Sequence, residues 1–250
     1  MLRANPHAVS AAWVGERLRK NTMQKILATA GLLVAMVSLA GAQSIFTGSN
    51  LIQNHSAEAG ANSTGSGRVD VPSWVGQAGI GRYDDSNWEI PSGSWSDGVN
   101  FFHGGNVASN VLTQTISVFA GDIAAIDAGQ ATFAISGWFG GWSGQDDNAT
   151  LVANFRDANG VVVGSSDVLG GFLAADRGGV SSLLFDSGTG TIAVGTRSIE
   201  FVLTSTRIGS GTYNDGVADN LQFAAVPEPF TMSALALGLA AIARKRARKS

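Results

Sequence analysis

The chain has 250 residues, 33 glycines, six tryptophans, no cysteine and a formal net charge of −3. Without cysteine there is no disulfide framework, no thiolate zinc site and no cysteine nucleophile. The stretch from Gln43 to Val226 holds six arginines, no lysine and seventeen acidic residues, a net −11, while both ends are basic; six scattered arginines argue against nucleic acid as a partner, and an acidic body leaves room for calcium, which takes oxygen ligands.

From Met23 the chain reads MQKILATAGLLVAMVSLAGAQS. A cation (Lys25), an apolar run from Ile26 to Leu39 and the small-residue site Ala40-Gly41-Ala42 form the pattern of a secretory signal peptide, with cleavage expected after Ala42. Residues 1–22 read either as a long leading region or as an extension upstream of a true start at Met23, and the second reading is favoured. Export asks the core to be stable without covalent staples, and about 184 residues between the ends suffice for one sizeable core.

In the body, sustained 3.6-residue periodicity is missing. Short strand-like runs stand between clusters of Gly, Asn, Asp and Ser: Val111–Phe119, Ala131–Phe139, Ala149–Asp157, Gly160–Val168 and Arg197–Arg207. In the last of these Ile199, Phe201 and Leu203 fall on one face and Glu200, Val202 and Thr204 on the other. Asp157-Ala158-Asn159-Gly160 is a hairpin turn signal. Many short strands with Gly-rich turns predict one all-β domain over 43–225, a single antiparallel β-sandwich, flanked by an N-terminal signal helix (1–42) and a short C-terminal apolar helix (226–250).

The tail has three parts. Val226-Pro227-Glu228-Pro229 stops any preceding strand, Phe230–Ala243 is apolar, and Arg244-Lys245-Arg246-Ala247-Arg248-Lys249 follows. Fourteen residues rise about 21 Å, short of a hydrocarbon core of roughly 30 Å. The tail can hold a membrane transiently with its cations on the cytoplasmic side, but is a poor permanent anchor. This order resembles the PEP-CTERM sorting signal, with Val226, Pro227, Glu228, Pro229, Arg244, Lys245 and Arg246 as the matching positions. The resemblance covers about a tenth of the chain. It implies export through the inner membrane of a Gram-negative bacterium, processing by an exosortase near the Pro-Glu-Pro, and delivery to the cell surface or an extracellular polysaccharide matrix.

The body resembles the galactose-binding-like jelly rolls common among carbohydrate-binding modules. Asn50–Gly60 (NLIQNHSAEAG) is similar to their opening strand, with His55 where glycine is usual, and Tyr213–Phe223 (YNDGVADNLQF) to their closing strand. Ser136–Leu151 (SGWFGGWSGQDDNATL) resembles a stretch common among PEP-CTERM cargo. In that family the first and last strands lie side by side and often hold a structural calcium. The resemblance therefore implies a site from Glu58 and Asp219, with Asn54, Asp215 and Asn220 as further donors. The competing reading makes Asn54, Asn214 and Asp215 turn formers. Asp146-Asp147-Asn148 lacks EF-hand spacing and reads as a solvated turn.

Five tryptophans belong to the body, and each can pack a core or present a flat face to a sugar. Trp88, Trp95 and Trp142 are the glycan-binding candidates, because their surroundings are loop-like. Enzyme signatures are weak. The body has two histidines, His55 and His103, and no G-x-S-x-G elbow. A glycosidase needs only two carboxylates, which seventeen acids neither single out nor forbid. His103 reads as structural. The sequence thus predicts a non-enzymatic surface or matrix protein associating with polysaccharide. A structural surface protein without a specific ligand is the alternative, and a polysaccharide-processing enzyme the third reading.

Overall fold

A computed structural model describes residues 44–227 apart from Asn87. The predicted signal segment and the tail positions Glu228, Pro229, Arg244, Lys245 and Arg246 lie outside the described residues.

The described chain is a two-sheet antiparallel sandwich. One sheet has six strands: β1 (Val69–Asp70), β2 (Gln77–Arg82), β3 (Asn100–Gly105), β11 (Asn214–Pro227), β5 (Ala131–Gly141) and β9 (Ser182–Thr191), in that spatial order. The other runs β4 (Ser109–Ser117), β10 (Ser198–Thr206), β6 (Asn148–Arg156), β7 (Val162–Ser165), with β8 (Leu169–Gly170) also on β6. One short helix, α1 (Ile123–Asp127), joins β4 to β5.

Alternation builds the five-stranded sheet. Ile199, Phe201 and Leu203 of β10 are buried, as are Ala149, Leu151, Ala153 and Phe155 of β6. They meet Phe133, Ile135, Phe223 and Ala225 of the opposite sheet. Phe223 lies in ring contact with both Phe133 (5.3 Å, nearly parallel) and Phe201 (5.1 Å), so it ties the two layers together. The predicted hairpin turn joins β6 to β7, where Asp157 Oδ1 accepts the N–H groups of Asn159 and Val161.

The six-stranded sheet is buried on its outer face as well. Tyr83, Trp88, Ile90, Phe101, Leu183 and Val217 form a second cluster there, with Trp95 and Trp138 packed against it. All six residues of β3 are therefore buried, and its sequence NFFHGG shows no period-two signal.

Two sequence expectations need correction. Asn50–Gly60 forms no strand. Asn54 (φ 47°) and Ala57 (φ 59°) turn the chain out of extended geometry. The segment still lies along β11, where Leu51 N–H donates to Phe223 and Leu221 N–H to His55. The sandwich also runs past residue 225: Val226 pairs with Thr132, and Pro227 with Ala131.

Candidate functional site

β3 and β5 end where β11 begins: Asn214 pairs with Gly105 and Val217 with Gly140. A cleft of about 650 Å³ opens at this end of the six-stranded sheet. Trp88, Trp142, Gln145, Tyr213 and Asp215 line it, with the backbone of Gly65 and Ser66 at one side.

Each wall has an identifiable support. Trp88, 8% exposed, lies 4.0 Å centroid to centroid from the His103 ring. His103 is fully buried, and its Nδ1 accepts the Gly105 N–H. The proton therefore belongs on Nε2, which has no partner. Burial pushes the imidazole pKa down to about 3, so the ring is a neutral packing surface for Trp88. Gly79 makes room for it, since a Cβ there would lie 1.8 Å from the ring.

The turn carrying Trp142 and Gln145 is pinned by Arg177. This buried guanidinium donates to the carbonyls of Gly141 (2.7 Å), Ser143 (3.2 Å), Gln145 (2.7 Å) and Val180. Gly141 permits the close approach of this turn and of β11, because a Cβ there would lie 2.6 Å from the Asp147 carbonyl oxygen and 3.0 Å from that of Asp215. The Trp142 indole N–H is buried without a partner.

Asp147 is not part of a solvated turn, contrary to the sequence reading. It is fully buried, and its two oxygens accept the N–H groups of Ile208 (2.7 Å) and Asp215 (2.9 Å). That anchors the start of β11. The Asp215 side chain, 8% exposed, lines the cleft. Burial and the neighbouring Asp147 charge raise its pKa to about 6.

Of the three predicted tryptophans, Trp88 and Trp142 meet in this cleft. Trp95 does not. It packs 6.2 Å from Trp138 on the outer face and donates to the Pro91 carbonyl. Tyr213, Gln145 and the supporting Arg177 were not singled out by sequence. Tyr213 falls within the quoted closing stretch, but the turn that brings it to Trp142 has no local sequence signal.

Glu58 and Asp219 do share a neighbourhood, since both carboxylates, with burial, push the Tyr83 hydroxyl pKa up. Asp219 Oδ2 accepts the Tyr83 hydroxyl (2.7 Å) and the Asp97 N–H (3.1 Å), and Oδ1 accepts the Asn220 N–H (2.7 Å). Burial outweighs these three donors and raises the Asp219 pKa to about 8. Glu58 Oε1 accepts the N–H groups of Val99 and Asn100. Asn54 closes its own turn through Ala59 and Pro72. Among the described residues no three His, Asp or Glu side chains are grouped to hold a metal ion. These three donors compete with any cation for the Asp219 oxygens.

A Ser/His/Asp group also occurs. Ser56 Oγ contacts both His55 Nδ1 and Asp97 Oδ2 at 2.7 Å. Because Asp97 and Ser56 meet the same ring nitrogen, the carboxylate does not orient the imidazole from the far side, as a relay requires.

No protein-family model and no curated protein matches the chain. Solved structures do. A family 16 carbohydrate-binding module is 18% identical over 70% of this chain and 99% of its own, with a TM-score of 0.42. The Stig cyclase Fisc from Fischerella sp. TAU is 13% identical over 72% of this chain and 98% of its own, with a TM-score of 0.48. The enzymatically active domain of tailspike protein 4 from bacteriophage CBA120 is 15% identical over 71% of this chain, with a TM-score of 0.43. The chain covers 21% of that tailspike chain, about a fifth of its length.

Proposed function

We propose that this is an exported, non-enzymatic protein of the cell surface or extracellular matrix that associates with polysaccharide through the cleft at the head of β11. The observation that carries this reading is the composition of the cleft. Trp88, Trp142 and Tyr213 supply aromatic surface for the C–H faces of sugar rings, and Asp215 and Gln145 supply polar groups for their hydroxyls. Binding is favoured over hydrolysis because the described cleft lining contains one carboxylate, whereas glycoside hydrolysis ordinarily uses two. The nearest second acid, Asp147, has both oxygens committed to backbone N–H groups. Retention of the protein on immobilised polysaccharides, compared with its Trp142→Ala variant, tests the reading. Retention that disappears in the variant supports it, and equal retention removes the cleft from the account.

Export and sorting rest on the Met23–Ala42 signal pattern and on the Val226–Lys249 tail. They imply transient passage through the inner membrane and an exosortase as processing partner. Deleting Phe230–Ser250 is expected to abolish processing and surface delivery; unchanged delivery would contradict it. Calcium at Glu58 and Asp219 is the remaining element of the proposal. A ligand bound only by the folded state at a hundredfold excess over Kd stabilises by about 2.7 kcal/mol. A calcium-dependent rise in the unfolding midpoint, lost on chelation, is the expected sign, and a midpoint indifferent to both removes the metal.

A further inference from the structure

Asp215 is more than nine-tenths buried in a cleft and is left without a partner. No described donor reaches its carboxylate, and its environment consists of burial and the repulsive Asp147. Among the described residues no Lys, Arg or His belongs to the lining. The nearby guanidinium of Arg177 gives its two terminal nitrogens to carbonyls of the Trp142 turn and of Val180, and its buried Nε–H reaches no described acceptor, Asp215 included. Around this anion stand Trp88, Trp142 and Tyr213, whose ring faces carry the negative end of the aromatic quadrupole and attract cations. A sugar hydroxyl can donate a hydrogen bond to Asp215 but leaves its charge unbalanced. An ammonium group satisfies the carboxylate and the rings together.

We propose that the cleft selects glycans bearing a free amine, that is, amino-sugar units without an N-acetyl group, over neutral, N-acetylated or uronic sugars. The inference rests on the glycan-binding reading of the same cleft. The sugar ring packs on tryptophan while its ammonium donates to Asp215. A uronic acid would bring a second negative charge beside Asp215 and Asp147, and an N-acetyl group removes the cation.

The pH dependence follows from the groups that face this point. Asp147 beside Asp215 has both oxygens held by N–H groups, and His103 beneath Trp88 is neutral. Asp215 is therefore the group that changes charge near neutrality, and selectivity for the amine is expected to fall as the pH drops below about 6.

The test is calorimetric titration of the full chain at pH 6.5 with equal-length oligomers of glucosamine, N-acetylglucosamine and glucose, repeated with Asp215→Asn. The glucosamine oligomer is expected to bind about tenfold tighter or better, as one charge-assisted contact allows. Asp215→Asn is expected to erase that preference, so that the variant binds the glucosamine and glucose oligomers equally. The wild-type comparison alone decides the matter if the variant does not fold. Equal binding of all three overturns the amine selectivity and leaves the glycan reading standing. Binding of none overturns both. Methylammonium competing as tightly as the glucosamine oligomer would show that an amine is recognised without its sugar, which also overturns the proposal.

Discussion

β10 meets β4 and β6 through nine consecutive residue pairs on each side, without a register shift. β11 occupies the equivalent inner position of the other sheet and shifts register against both neighbours, between Asn214 and Val217 on the β3 side and between Asp219 and Gln222 on the β5 side. The sheet of β10, whose described register shift is at the β6–β7 edge between Phe155 and Arg156, buries Phe155 and Phe201 and no described charged side chain. The irregular one carries Asp215 and Asp219 on β11 and His103 on β3. Each shift lies beside one of these acids. A displaced ladder frees backbone N–H groups from pairing and re-aims side chains, so the Asp215 N–H goes to Asp147 and the Asn220 N–H to Asp219. Regular pairing provides the core, and irregular pairing provides the cleft.

This contrast sets an order of expected effects. Phe201→Ala, in the regular sheet, removes a fully buried ring and is expected to cost about 3–5 kcal/mol in denaturant unfolding. A much smaller loss would mean that Phe223 and Phe155 collapse into the space and that the inter-sheet core is less tightly fixed than its ring contacts indicate. Asp147→Ala comes next. It strands the buried N–H of Asp215 and the partly buried N–H of Ile208, for a loss of about 2 kcal/mol together with loosening of the cleft. A variant as stable as wild type would show that the head of β11 does not depend on this clamp.

A pH slope set mainly by the irregular sheet is the third effect. The Asp219 pKa stands near 8 when folded, against an ordinary 3.8. Between those values the folded protein keeps a proton that the unfolded chain releases, so this contribution to stability is present below about pH 4 and is lost as the pH rises to about 8. Asp215, raised to about 6, acts with the same sign over a narrower window. Asp127 and Asp157 act oppositely and only in acid. Arg197 lowers the pKa of the first, and backbone N–H groups lower that of the second. His103, lowered by burial to about 3 from an ordinary 6.5, acts oppositely below about pH 6.5, so the unfolding midpoint is expected to fall from pH 6.5 to pH 8, and Asp219→Asn to flatten that fall. An unchanged slope in the variant would place the titrating group elsewhere.

The same contrast explains what could be read from the amino acids. β4, β5, β6 and β10 were legible because one face of each is apolar and the other faces solvent, and the Asp-Ala-Asn-Gly turn marked the β6–β7 hairpin. β3 was not, because a strand buried on both faces has no alternation. β9 was not, because its SGTGT half is polar on both faces. The opening segment reads as a strand until Asn54 and Ala57 adopt positive φ. For the cleft, Trp88 and Trp142 were legible from their loop-like surroundings. Trp95 stands in surroundings of the same composition yet packs on Trp138, a difference that only the folded loop makes. Asp215 was grouped with the calcium donors, and Asp147 with solvated turns. Their roles depend on N–H groups 61 and 68 residues away along the chain, which no local pattern reports.

The most direct measurement of the central claim is glycan-array binding of three proteins side by side: wild type, Trp142→Ala and Trp95→Ala. The cleft account predicts that whatever glycan the wild type retains, Trp95→Ala retains equally, while Trp142→Ala loses it by tenfold or more, about 1.4 kcal/mol of binding free energy. Loss in Trp95→Ala with retention in Trp142→Ala would contradict the account and move the binding surface to the outer aromatic face of the six-stranded sheet.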